Sequence, residues 1–182
     1  MLRAGYGMYD SQKDKAFESH YEAATKAGLK VGAYHYSYAK NVSQAIKEAD
    51  CFLKWIKDKK LEYPVAFDIE DRSQKILSVK QKTDIALAFM QKVEAQGYYT
   101  MLYSSANWLN KYLDMQRLRH FDVWLACYTS EERRNKLYSG KFGMWQKTSG
   151  LKLPEVYSSR LDENLAYKDY ARIIRKNRLN NL

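Results

Sequence analysis

Pro64-Val65-Ala66-Phe67-Asp68-Ile69-Glu70-Asp71 reads as a short apolar strand that runs out into acids. Alternate side chains of an extended strand share a face. Asp68 and Glu70 are therefore expected on one side, with Phe67 and Ile69 on the other. Two carboxyls held together at a buried strand end resist double ionisation, so one keeps a proton while its neighbour is charged. Acid-assisted cleavage of a glycosidic bond needs that division. An ordinary acidic loop after a strand is the plainer alternative, and the rest of the chain has to decide.

Outward from this stretch, short apolar runs alternate with helical patterns. Before it, Ala16, Phe17, Tyr21 and Ala24 form a helical stripe closed by Gly28, and residues 30–38 read as a strand rich in Val and Tyr. Ser43 is the expected cap of a second helix with Ile46, Ala49, Phe52, Leu53 and Ile56 on its inner face. After it, a helix is expected over 78–96, closed by Gly97, then strands over 99–103, 121–127 and 142–145 with a short helix over 107–113. A strand-like segment beginning at Leu161 and a helix over 167–176 finish the chain. Strands separated by helices predict parallel β/α units, either a barrel or an open doubly wound sheet. No glycine-rich phosphate loop follows the first strand, which weakens the nucleotide-binding version. In a barrel the chemistry sits at the C-terminal strand ends, where Asp68 and Glu70 fall. No linker or repeat divides the 182 residues, so they are read as one domain, short for a complete eight-unit barrel.

Composition narrows the partners. The formal charge of +10 attracts polyanions in general. Arg172-Ile173-Ile174-Arg175-Lys176-Asn177-Arg178 is its densest run, but no nucleic-acid motif accompanies it, so no nucleic acid is expected and an anionic wall or membrane surface is preferred. Apolar runs are too short for membrane insertion. No secretory leader is visible, so action outside the cell or at its wall would require cytoplasmic accumulation before lysis, another export route, or a leader missing from this chain. Cys51 and Cys127 are too few for a disulfide framework, and His20, His35 and His120 lack metal-ligand spacing.

The chain carries 16 Tyr and 4 Trp, and several stand at strand ends: Tyr34 and Tyr36, Tyr103, Trp124, Tyr128 and Trp145. Most tyrosines in such a chain fill core. Those beside a carboxyl pair suit the apolar faces of sugar rings. Asp162, in Arg160-Leu161-Asp162-Glu163-Asn164, adds a third acid that by itself reads equally well as a loop residue.

Together these stretches resemble the family-twenty-five glycoside hydrolases, the Chalaropsis-type lysozymes. The resemblance rests on Arg3-Ala4-Gly5-Tyr6-Gly7, Ala27-Gly28-Leu29-Lys30-Val31-Gly32-Ala33-Tyr34-His35-Tyr36, the Pro64–Glu70 segment, Gly97-Tyr98, Tyr103-Ser104, Trp124-Leu125-Ala126, Trp145-Gln146 and Leu161-Asp162-Glu163-Asn164. It implies an irregular TIM-like β/α barrel that hydrolyses the β-1,4 bond between N-acetylmuramic acid and N-acetylglucosamine in peptidoglycan, with no metal or organic cofactor. By the resemblance Glu70 is the general acid, Asp68 the stabilising or substrate-orienting carboxylate and Asp162 a third active-site acid. Tyr34, Tyr36, Trp124 and Trp145 are the candidate sugar contacts. Family members carry a further strand and acid before the segment matching Arg3–Gly7. The chain begins after that point, and neither Asp10 nor Asp14 obviously replaces the acid. The expected barrel is therefore incomplete at its N-terminus, with open edges that invite a homodimer. A non-catalytic wall-binding or structural relative is the alternative. Cys127 and Lys147 are milder departures, standing where the family commonly has a polar and an aromatic residue.

Overall fold

The computed structural model describes residues 1–154 and 160–182. Seven strands form one sheet in chain order: β1 (Leu2–Tyr6), β2 (Ala33–Tyr36), β3 (Val65–Asp68), β4 (Thr100–Ser105), β5 (Asp122–Ala126), β6 (Met144–Leu151) and β7 (Leu161–Ala166). The first six run parallel, and β7 returns antiparallel to β6. Order without reversal excludes the doubly wound sheet, which changes direction at a switch point. Leu2 and Arg3 of β1 line the same cleft as Leu161, Asp162 and Asn164 of β7, so the sheet curls until its edges flank one space. The two edge strands are not paired with each other, and the barrel stays open.

The helices are α1 (Phe17–Lys26), α2 (Val42–Ile56), α3 (Val79–Glu94), α4 (Ala106–Lys111), α5 (Glu131–Leu137) and α6 (Tyr170–Lys176). Asn41, not Ser43, caps α2: its side-chain oxygen accepts the Gln44 amide at 2.9 Å. An Asn in extended conformation just before the first turn is as good a cap as Ser. Ile46, expected inside, is exposed. Ser78 caps α3 with Gln81 reaching back, a reciprocal pair that satisfies two free donors. β6 runs six residues beyond the expected Trp145 end, because β7 pairs along its length with two register shifts.

Parity along the strands sorts side chains into two cores. Val65 and Phe67 face the helices, where Phe67 stacks on Phe89 of α3 at 4.3 Å and Phe52 of α2 joins them. Ala66, Met101, Trp124, Ala126 and Met144 face inward. Tyr170 and Ile174 of α6 close this inner core at the N-terminal ends of the strands, with Tyr170 against Tyr63 and Tyr99. Among the described residues no helix is long and apolar enough to cross a membrane.

A buried polar knot ties α2 to the C-terminal rim of β2. Glu48 is 1% exposed and accepts from the Ser37 hydroxyl at 2.7 Å and the Tyr38 amide at 2.8 Å. The Ser37 amide in turn donates to the Asp68 carbonyl at 2.9 Å, so α2 braces the strand end that carries the acids. Burial raises the Glu48 pKa from 4.5 to about 7 against the pull of those hydrogen bonds. His35 Nε2 lies 3.8 Å from Glu48, too far for a hydrogen bond, and burial lowers its pKa to about 3. The two are therefore a neutral His beside a Glu that titrates near neutrality, not an ion pair.

The linkage has opposite signs for the two groups. Glu48 binds its proton more tightly when folded, so its contribution is full below its ordinary value of 4.5 and is lost as pH rises through about 7. His35 contributes above its ordinary 6.5, and that share is lost as pH falls toward 3. Glu48→Gln should remove the Glu48 share of the decline between about pH 5 and pH 8, roughly 2–3 kcal/mol. Urea unfolding at the two pH values measures it, and an unchanged slope would refute the assignment.

Candidate active site

Pairing brings one row of residues across the sheet. Tyr36 of β2 aligns with Asp68 of β3, Asp68 with Tyr103 of β4, Tyr103 with Trp124 of β5, and Trp124 with Met144 of β6. Asp68 thus stands at the centre of the curled face. It lines a cleft of about 610 Å³ with Arg3, Tyr34, Trp124, Gln146 and Asp162 among its walls. Leu151, Leu153 and Leu161 give that cleft an apolar flank.

Glu70 lies two residues on, after the buried Ile69, and opens into an adjoining depression of about 500 Å³ with Ser105, Asn107, Lys111 and Tyr128. The two carboxyls interact, and both act on Tyr103, whose phenol is raised by burial and by their charge. Tyr103 lines the cleft on the Asp68 side. Its hydroxyl donates to Gln146 Oε1 at 2.7 Å, and the Tyr128 hydroxyl donates to the same atom at 2.9 Å.

Burial raises the Asp68 carboxyl well above its ordinary range, and Glu70 adds to that while Arg3 opposes it. Burial also raises Glu70, against the Ser105 amide. Both carboxyls of the free site therefore hold their protons more tightly than ordinary carboxyls do. Asp68 Oδ1 is buried and has no hydrogen-bond partner. An orphaned acceptor of that kind carries a desolvation cost unless a ligand satisfies it.

The other expected residues divide by strand parity. Tyr34 lines the cleft near Asp68, and burial pushes its phenol up to about 12. Tyr36 reaches the rim, where its hydroxyl donates to Asp71 at 3.1 Å and its ring meets Tyr38 at 5.1 Å. Trp124 packs against Tyr103 at 4.5 Å and donates its indole N–H to Asn164 on β7 at 2.8 Å. Asp162 is exposed on the β7 side of the cleft and acts electrostatically on Tyr34 and Tyr128.

Trp145 is the exception and corrects the sequence expectation. One residue out of step with Met144 and Gln146, it faces the helices, 4% exposed. Its indole donates to the Cys127 carbonyl at 2.9 Å, and the Arg134 guanidinium sits 4.5 Å over its ring. It is a structural residue of the outer core.

Arg3, Tyr103 and Gln146 also line the cleft; the sequence placed Tyr103 among the strand-end aromatics, but neither Arg3 nor Gln146 was expected as a site residue. Arg3 donates through Nε to Asp14 at 2.7 Å, which fixes it beside the cleft. Strand parity, Gln146 being in step with Met144 as Tyr103 is with Met101, is the signal that could have found Gln146. Among the described residues no group of three His, Cys, Asp or Glu side chains could hold a metal ion.

The two tryptophans should separate experimentally. Trp145→Phe removes one buried hydrogen bond and should cost about 1 kcal/mol of stability with unchanged affinity for a soluble glycan fragment. Trp124→Phe frees Asn164 and alters the cleft wall, and should weaken that affinity. Calorimetry on both variants, with unfolding curves, decides; equal loss of affinity would contradict the placement of Trp145.

Comparison with known proteins agrees with this architecture. The family model described as glycosyl hydrolases family 25 matches residues 7–156. A Streptococcus phage B30 protein described as a D-alanyl-L-alanine endopeptidase is 29% identical over 110 residues, covering 58% of this chain and 24% of that protein. The CTP1L endolysin structure superposes with a TM-score of 0.79 at 24% identity, covering 96% of this chain and 59% of that one. The modular autolysin LytC from Streptococcus pneumoniae gives 0.72 at 27% identity, covering 89% and 39%. The chain thus spans about a quarter of the phage protein and less than two thirds of each of these two structures. A match over most of its length, on a curled sheet with paired acids at the strand ends, makes the chain a member of glycosyl hydrolase family 25.

Proposed function

We propose that the chain hydrolyses the β-1,4 bond between N-acetylmuramic acid and N-acetylglucosamine in peptidoglycan. The observation that carries this reading is the buried Asp68 Oδ1 without a partner, beside a Glu70 whose pKa is also raised. A sugar acetamido N–H donating to Asp68 would satisfy the orphan and favour its ionised form, which Arg3 also favours. The proton of the pair then resides on Glu70, and the pair titrates as one unit. Glu70 delivers that proton to the glycosidic oxygen as the bond breaks. Ionised Asp68 orients the muramyl acetamido group, whose carbonyl oxygen attacks the anomeric carbon and bears the positive character there. Water, deprotonated by the Glu70 carboxylate, then opens the cyclic intermediate. Asp162 and Asn164 complete the far wall, Tyr34 offers its ring to the sugars, and Trp124, 4% exposed, lines the cleft by an edge and backs Tyr34.

The name of the phage relative raises peptide cleavage as a second chemistry. The thiols here do not favour it. Cys51 and Cys127 are both raised by burial, the reverse of an activated nucleophile. His35 is sealed in the core with neither ring nitrogen bonded.

Digestion of purified peptidoglycan tests the reading. Wild type should release fragments with reducing-end muramic acid, and Glu70→Gln should lower the rate by about 10²–10⁴-fold. Peptide-bond products, or wall binding with no release by folded wild type, would refute it; the latter would make the chain a binding relative. Because Glu70 works protonated and its pKa is raised, kcat/KM should fall with rising pH only above the ordinary glutamate range. A pH–rate profile for the wild type checks that limb.

A further inference from the structure

The carboxyls occupy the C-terminal end of the sheet, and a second hollow lies at the other end. It measures about 520 Å³ and is lined by Lys30, Asp169, Ala171, Arg172, Arg175 and Lys176. Its position follows from α6, which closes the N-terminal strand ends through Tyr170. Just beyond α6, the Asn180 side chain donates to the Leu61 and Tyr63 carbonyls. Lys30 stands in the turn that leads into β2.

Four cations around one hollow are electrostatically unfavourable in the free protein. Arg172 and Lys176 lie one helical turn apart, a like-charge spacing that destabilises a helix. The nearby acids relieve little of this. Asp169 accepts the Arg172 backbone amide at 3.1 Å as the cap of α6, and Glu62 holds Arg175. Lys30, Arg172 and Lys176 have no acid partner among the described residues, and they converge on one hollow, unlike Lys80 and Lys136, which pair locally with Asp84 and Glu132. Separate cations spread along an open hollow match an anion that repeats, more than a single small carboxylate. The lining has no aromatic ring, so it lacks the stacking platform of a single-strand nucleic-acid groove. Its only apolar side chain, Ala171, is buried and cannot enter a bilayer.

We propose that this hollow is a second binding site, for the phosphodiester backbone of an anionic cell-wall polymer. Docked there, the domain presents its carboxyl-bearing end away from the polymer, toward glycan. Binding is carried by phosphate–cation contacts, so it weakens with salt.

The test is cosedimentation of the full chain with purified walls, on ice, before and after acid stripping of the phosphate polymer. The triple variant Lys30→Glu, Arg172→Glu, Lys176→Glu is compared with a control of equal charge change, Lys47→Glu, Lys80→Glu, Lys136→Glu. Circular dichroism verifies that both are folded. The hollow variant should bind intact walls at least about tenfold more weakly than wild type, and the control within about twofold. Stripping should weaken wild type to the level of the hollow variant. Equal losses in both variants would reduce the effect to net charge and overturn the site. Undiminished binding to stripped walls would overturn the phosphate polymer. Tighter binding to anionic lipid vesicles or to a phosphodiester oligonucleotide than to the isolated polymer would assign the hollow to a different partner and overturn the proposal. Sugar release is scored in the same tubes after warming, so a chain that binds without cutting separates failure of the catalytic reading from failure of this one.

Discussion

Everything at the catalytic end depends on the parity of β3. Val65 and Phe67 must enter the helix-side core for the strand to be held, and this turns Ala66 and Asp68 inward. The stack of Phe67 on Phe89 therefore fixes more than stability. It fixes which face the first acid occupies and, through the buried Ile69, returns Glu70 beside it. Hydrophobic burial supplies the energy that keeps a desolvated carboxyl where water would otherwise draw it out.

Support for that strand end comes from both neighbours. The Ser37 amide holds the Asp68 carbonyl from β2, and the Ser104 hydroxyl donates to the Ile69 carbonyl from β4 at 2.7 Å. Glu48 holds Ser37 from behind. Backbone groups at the rim are thus committed to structure, while the side-chain oxygen of Asp68 is left open. A site whose frame is satisfied and whose functional atom is not is prepared for a ligand donor.

Much of this was legible in the chain. The acids after Pro64 pointed to the candidate site, and alternating apolar and helical patterns announced parallel β/α units. What remained hidden was information that adjacent residues do not carry. Trp124 and Trp145 look alike in sequence, but only the pairing of β5 with β6 shows that one lines the cleft and the other packs under Arg134. α5, Glu131-Glu132-Arg133-Arg134-Asn135-Lys136-Leu137, has no apolar stripe and offered no periodic signal; Arg134 anchors it through Phe142, Trp145 and the Tyr167 hydroxyl. The part played by Arg3 depends on the curl of the sheet, which no local pattern encodes. The shift from Ser43 to Asn41 is a smaller matter of two good caps two residues apart.

The open barrel makes the two walls of the cleft mechanically unequal. Asp68 sits on a strand clamped on both sides by parallel neighbours. Asp162 and Asn164 sit on a strand clamped along one side only, through a ladder that loses register twice. Displacing β7 disturbs one ladder, whereas displacing β3 would disturb two and the aromatic stack behind it. If the cleft holds a glycan, as proposed, that glycan lies between a wall held by two ladders and a wall held by one, and variation in its girth falls to the second.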